Sequence, residues 1–302
     1  MLEIDYNTDT SPYELIQKIG CGKYSEVFCA LNRNNACMCV CKILKPVRLR
    51  KIKREISILR NLCGGPNVVR LFDVLRDDSN DMGVGVAGNT SNANYTGNIT
   101  SANATNSNNN TNNNNNTNSL PTTATTHFNG NSHDATMASR QQQSFHKVST
   151  INSNSTAYSI GTGTPILVTE FVPNAVTLRA LMLANEISNF DMRYYLYEVL
   201  RTLDFAHKRG IFHRDIKPHN IMINHDKKIL RVIDWGLAEY YVHGEPLNCG
   251  VATRHYKAPE LLVGYRHYDF SLDIWCTGCV LAGMLFKSDP FFEGNSNEEQ
   301  LL

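Results

Sequence analysis

From about Asp78 to Ser159 the sequence is dominated by Asn, Thr, Ser and Gly, with an Asn run at 112–116 and a Gln run at 141–143. Such a stretch has too few apolar side chains to offset the entropy lost when a chain orders, so disorder is expected there. That constrains everything else. Any compact fold must be assembled from the residues before and after this segment, which is then an insertion within one domain and not a linker between two. A long insertion is tolerable because closure entropy grows slowly with loop length. Asn94-Tyr95-Thr96 and similar triplets fit the glycosylation acceptor pattern, as chance products of this composition.

The whole chain has 302 residues, a net charge of +1 and 19% charged side chains, which argues against bulk nucleic-acid binding. Met1-Leu2-Glu3-Ile4-Asp5 lacks the basic start and apolar run of a signal peptide, and no uninterrupted apolar stretch could span a bilayer. A soluble chain of the cytoplasm and nucleus is expected. Nine cysteines is an odd number, and without secretory features a disulfide framework is not expected. Cys37, Cys39 and Cys41 alternate through an expected strand and so share a face. Thiolates bind zinc, but no Cys or His group with closed-site spacing stands nearby, and small buried thiols are the expectation.

Residues 13–77 read as a small sheet carrying one helix. Tyr13 to Ile19 leads into Gly20-Cys21-Gly22-Lys23-Tyr24-Ser25, and Val27 to Leu31 resumes as a strand. Strand, glycine turn, strand differs from a dinucleotide fold, which places a helix after the glycines. In the strand Met38–Leu44, alternation puts Val40 and Lys42 on one face, read as the nucleotide side, and Cys39 and Cys41 on the other. From Lys51 to Leu62, Ile52, Ile56, Leu59 and Leu62 fall at helical spacing, and Glu55 within that helix is the expected partner of Lys42. Positions 42–54 hold seven Lys or Arg and no acid. Such a run is ordinarily a solvated helix face, and otherwise a docking surface for acidic peptide or a nuclear-import signal.

Order returns at Pro165–Val172, an apolar strand. Residues 177–188 and 190–209 read as helices, the second ending in Lys208-Arg209-Gly210. His213-Arg214-Asp215-Ile216-Lys217-Pro218-His219-Asn220 follows. An Asp and an Asn five positions apart with a Lys between suit phosphoryl transfer: Asp215 orients a hydroxyl and accepts its proton, Lys217 neutralises the moving phosphate, Asn220 holds a metal ion. Ile221–Ile223 and Ile229–Ile233 are an expected strand pair ending at Asp234-Trp235-Gly236, where Asp234 would bind metal. Ala258-Pro259-Glu260 comes next, and residues 273–285 read as a mostly apolar, buried helix.

These signals, in this order, resemble a eukaryotic protein kinase. More narrowly, Gly22-Lys23-Tyr24-Ser25-Glu26-Val27-Phe28, Ile52-Lys53-Arg54-Glu55-Ile56, Gly64-Gly65-Pro66-Asn67 and Asp234-Trp235-Gly236-Leu237-Ala238-Glu239 are similar to the catalytic α subunits of casein kinase 2. The resemblance implies an α+β, bilobal fold. The N-lobe would span 13–172, interrupted at 78–159, with an antiparallel sheet and one helix. The mainly helical C-lobe would span 173–302 and be incomplete at its C-terminal end, since only 42 residues follow Glu260. ATP would lie against Ile19, Gly20, Gly22, Val27, Val40, Lys42 and Val69 above and Met222 and Ile233 below, with Glu170 and Val172 at the hinge. Mg2+ would sit on Asn220 and Asp234. Departures at Phe171 and Pro173 put the family's use of GTP in doubt, and Thr169 before the hinge would open a back pocket.

The implied substrates are Ser or Thr in acidic contexts, met by Arg48, Arg50, Lys51, Arg54, His219, Arg254 and Lys257. Leu49 and Gly250 stand where the family usually has bases. A regulatory β subunit is the implied partner, through Leu15, Phe28, Cys41, Leu75 and Val168. The N-terminal segment that braces the family's activation loop is mostly absent, so constitutive activity is not assumed. The alternatives are a catalytically silent or unstable truncated kinase-fold binding protein and a proline-directed kinase, the latter drawing on Val251-Ala252-Thr253-Arg254.

Overall fold

The computed structural model of the chain describes residues 4, 6–22, 24–46, 48–76, 163 and 165–302. All belong to one of two units into which contacts divide the chain, Met1–Asp81 with Phe145–Leu302. The disorder expected at 78–159 lies outside the described residues.

Five antiparallel strands form the first half: β1 (Tyr13–Cys21), β2 (Ser25–Asn32), β3 (Cys37–Leu44), β4 (Leu71–Arg76) and β5 (Pro165–Glu170), in the order β1-β2-β3-β5-β4. The glycine turn closes by a hydrogen bond from Gly22 N to Ser25 O at 2.8 Å. Strand β5 stops at Glu170, two residues before the expected Val172, and the chain then leaves the sheet. Asn7 runs parallel to β4, its N–H donating to Val74 O at 2.9 Å and its carbonyl accepting from Arg76 N at 3.0 Å. Helix α1 (Leu49–Asn61) buries Ile52, Ile56, Ile58 and Leu59 beneath the sheet.

The second half opens with β6 (Val176–Thr177) and α2 (Leu178–Leu183), and continues through α3 (Asn189–His207), β7 (Ile211–Phe212), β8 (Ile221–Asn224), β9 (Ile229–Val232) and β10 (Glu239–Tyr240). Helices α4 (Pro259–Leu262), α5 (Ser271–Phe286) and α6 (Asn297–Leu301) complete it. Helix α2 is shorter than the expected 177–188. Asn185 takes φ 55°, and its N–H and that of Glu186 turn back to Met182 O and Leu181 O, a left-handed stop with Asn in the place glycine usually fills. Helix α3 starts at a reciprocal cap, Ser188 Oγ accepting from Asp191 N while the Asp191 carboxylate accepts from Ser188 N. Helix α5 is buried along one side only: Leu272, Cys276 and Val280 are covered, whereas Ile274, Trp275, Leu285 and Phe286 are exposed.

One core runs from Leu44, Ile56 and Leu167 above to Tyr195, Phe212, Trp235 and Leu272 below, so the two halves are packed on each other. A second cluster lies on the other face of the sheet, where alternation sends Phe28, Ala30, Cys39, Cys41, Leu75, Ile166 and Val168. Phe28, Cys41, Leu75 and Val168, expected to receive a regulatory subunit, are each at most 3% exposed, and Leu15 packs against them. Together they form a buried cluster on that face. Cys37 is exposed while Cys39 and Cys41 are buried, all three as free thiols. Among the described residues no group of three or more His, Cys, Asp or Glu could hold a metal ion.

Candidate active site

Lys42 sits in the middle of the sheet, opposite Val27 on β2 and Leu167 on β5, so its backbone is fixed from both sides. Its Nζ lies 2.8 Å from Glu55 Oε1 and 2.8 Å from Asp234 Oδ1. Burial alone would lower the Lys42 pKa, but the two carboxylates outweigh it and raise it. Burial pushes the Asp234 carboxyl up, and the Lys42 ammonium, with His213 and Lys217 farther off, more than reverses this and holds it below the usual range. Asp234 has φ 60°, a left-handed conformation unusual for any residue but glycine, Asn or Asp. The following turn, Trp235–Leu237, secures it: the Trp235 indole N–H donates to Val232 O at 3.2 Å, and the ring stands edge-on to His213 at 4.6 Å. A Cβ on Gly236 would come within 3.2 Å of Glu55 Oε2, so glycine there keeps the Lys42–Glu55 pair uncrowded.

Beneath this pair, Asp215 is 5% exposed and fully occupied. Its Oδ2 accepts from Lys217 Nζ at 2.7 Å and Asn220 Nδ2 at 3.1 Å. Its Oδ1 accepts from Thr253 N and Thr253 Oγ1, both at 3.0 Å. Lys217 Nζ also reaches Thr253 Oγ1 at 2.8 Å. The loop is held from below by Asp273 of α5, wholly buried, which accepts from the backbone N–H of His213 and of Arg214 at 2.8 Å each and lies 2.8 Å from His207 Nε2. These bonds hold Arg214 at φ 65°. The two clusters adjoin, because Ile233 N donates to Asn220 O at 2.9 Å.

The donor set fits a hard cation. Asn220 Nδ2 also donates to Asp215 O at 2.9 Å, so both its bonds go to acceptors and its amide oxygen is left over. That oxygen and the ionised, half-exposed Asp234 carboxylate are the kind of ligands Mg2+ takes beside phosphate oxygens.

The other expected nucleotide contacts fall around this point unequally. Ile19 is half-exposed, and Gly20 pairs with Val27. Val40 faces Thr169, and Met222, Ile233 and Val172 are partly buried. Val69 is a core residue. The Glu170 carboxylate is taken by Arg231 in a two-pronged contact at 2.9 Å each, leaving only its backbone to a base.

Of the seven expected substrate contacts, Arg48, Arg50, Lys51, His219 and Arg254 are exposed. Arg254 also donates to Asn295 O. Arg54 is engaged by Glu239, and Lys257 donates to Cys249 O and Val251 O, so these two hold the protein's own chain. Partial burial, then the charges of Arg179 and Lys217, lower the His219 pKa.

Four further residues of the site had no such role assigned to them from the sequence. Thr253 and Asp273 reach Asp215 and the catalytic-loop backbone from far along the chain. Glu239 joins Arg54 to Arg214, whose Nη2 it accepts at 3.2 Å. Tyr240 meets α1. A carboxylate between two arginines can brace the activation segment from within.

A lysine fixed by two carboxylates stands over an aspartate held by lysine, asparagine and threonine, on an α+β scaffold. The family model for the protein kinase domain matches residues 13–95 and 130–302, and the chain belongs to the protein kinase family.

Proposed function

We propose that the chain transfers the γ-phosphate of ATP, bound with Mg2+, to serine or threonine hydroxyls in acidic sequence contexts, as its resemblance to casein kinase 2 catalytic subunits implies. The observation that carries this is Asp215, whose carboxylate is oriented from three sides with Lys217 against it. An acceptor hydroxyl placed there would give its proton to Asp215, while the Lys217 ammonium offsets charge on the phosphoryl group in transit. Lys42, kept extended by Glu55, is the group to align the α- and β-phosphates. Mg2+ on Asp234 and Asn220 would supply charge neutralisation for the phosphate oxygens.

Preference for acids is supported by the exposed Arg48, Arg50, Lys51 and Arg254. With Arg54 and Lys257 engaged elsewhere, it is weaker than seven free bases would give. Charge attraction at a surface is screened over roughly 8 Å at physiological salt, so the preference fades as salt rises. The test is transfer from labelled ATP by the purified chain to a degenerate Ser/Thr peptide library at low and high salt. Selection of acids after the acceptor supports the proposal. Selection of proline, or none, overturns the acidic specificity, and no transfer overturns the activity.

A further inference from the structure

The proposed reaction needs Glu55 at Lys42, and Glu55 is only as well placed as α1. That helix is poorly stabilised at its start. Its cap position is Arg48, whose side chain bonds nothing there, and its first turn has no acid. Arg50 and Lys51 instead put positive charge at the positive end of the helix dipole. Apolar packing holds one side through Ile52, Ile56 and Leu59. Arg54, Ser57 and Asn61, three and four residues apart, stack on another.

All three end on β10. Arg54 meets Glu239. Ser57 Oγ lies 2.8 Å from the Tyr240 hydroxyl oxygen, and Asn61 Nδ2 donates to that same oxygen at 2.5 Å. A phenol can donate to one while accepting from the other, so Tyr240 satisfies both. On its other side β10 pairs with β7, Tyr240 facing Ile211 and Glu239 facing Phe212, and β7 leads directly into His213-Arg214-Asp215. Helix α1 and the catalytic loop are thus fastened to the same two-residue strand.

We infer that Tyr240 is a positioning residue for phosphoryl transfer: its hydroxyl holds α1 at the angle that keeps Glu55 on Lys42. This rests on the role proposed for Lys42. Tyr240 itself touches no reacting atom.

The wild-type chain is compared with Tyr240→Phe, the pair Ser57→Ala/Asn61→Ala, and all three together. Phenylalanine keeps the ring and the β10 pairing and removes only the hydroxyl. Loss of two such bonds is expected to lower kcat/KM for ATP about tenfold, with the peptide KM unchanged. Amide hydrogen exchange should quicken about tenfold within 49–61 and stay unchanged within 189–207. Adding Ser57→Ala/Asn61→Ala to Tyr240→Phe should cost nothing more, because all act through one oxygen. Equal quickening in both helices, additive losses or an unaltered kcat/KM would overturn the inference. Should the wild type transfer no phosphate, the proposed activity fails, and the exchange comparison still decides whether Tyr240 restrains α1.

Discussion

Asp215 has its two carboxylate oxygens divided among Lys217, Asn220 and Thr253, so its orientation is set before any acceptor arrives. Asp215→Asn is expected to cut turnover by ~10²–10⁴, the usual contribution of a positioned base. ATP affinity, which the proposed function assigns to Lys42 and Asp234, should stay within about twofold by calorimetric titration. Wild-type turnover by the variant would refute the assignment. Asp234 supplies a pH test. Its carboxyl is held below the ordinary value, chiefly by Lys42 acting against burial. Its ionised form therefore favours the fold above about pH 4, and that contribution is lost as pH falls through the depressed value. Any difference in Tm between wild type and Asp234→Asn should thus be equal at about pH 5 and about pH 7. A difference that shrinks by the lower pH would mean a carboxyl that is not depressed. The meeting of Lys42 with Glu55 and of Asp215 with Lys217 and Asn220 was legible in the sequence because each set falls within a short stretch of chain. The contacts of Thr253 and Asp273 were not, since their bonds to the loop close over 38 and about 60 positions, and the run and the helix in which they stand do not show what they reach. Charge alone also failed to separate Arg48, which is exposed, from Arg54 and Lys257, which are used internally.

Strand β10 is among the shortest elements, and a two-residue strand has no periodicity to read. Its Glu239 accepts from Arg214, 2% exposed, and from Arg54. Glu239→Gln leaves those guanidinium groups facing each other without a counter-charge. Removing one partner of a buried pair costs about 3 kcal/mol, so Tm should fall by roughly 6–12 °C. Scanning calorimetry would check this, and an unchanged Tm would show that the arginines are satisfied elsewhere. The longer elements were legible. Helix α1 repeats Ile52, Ile56 and Leu59 at helical spacing, and α3 ends before Gly210, which takes φ 70°. Helix α2 was overrun because its apolar pattern continues to Ile187, whereas the backbone turns at Asn185.

At the scale of the molecule, Arg76 at the end of β4 faces Pro165 at the start of β5. The two ends of the long insertion are therefore as close as the ends of a hairpin. Replacing residues 80–158 by a short Gly/Ser bridge is expected to leave Tm and peptide turnover within about twofold of the full chain, since closure cost depends only weakly on length. Loss of folding would show that the insertion contributes to this sheet. The bilobal plan could be anticipated because its longer strands and helices announce themselves. The buried cluster at Phe28, Cys41, Leu75 and Val168 could not, because alternation tells which residues share a face and not what covers it. A five-stranded sheet also has two edges, and an unpaired edge can recruit the strand of another molecule. On β1 the charged, exposed Glu14 and Lys18 discourage this. On β4, beside the half-exposed Phe72, Asn7 uses its backbone to occupy Val74 O and Arg76 N. The backbone of Asn7 thus covers part of this edge. Removal of residues 1–8 is expected to appear in light scattering as concentration-dependent oligomers before it appears as lost turnover.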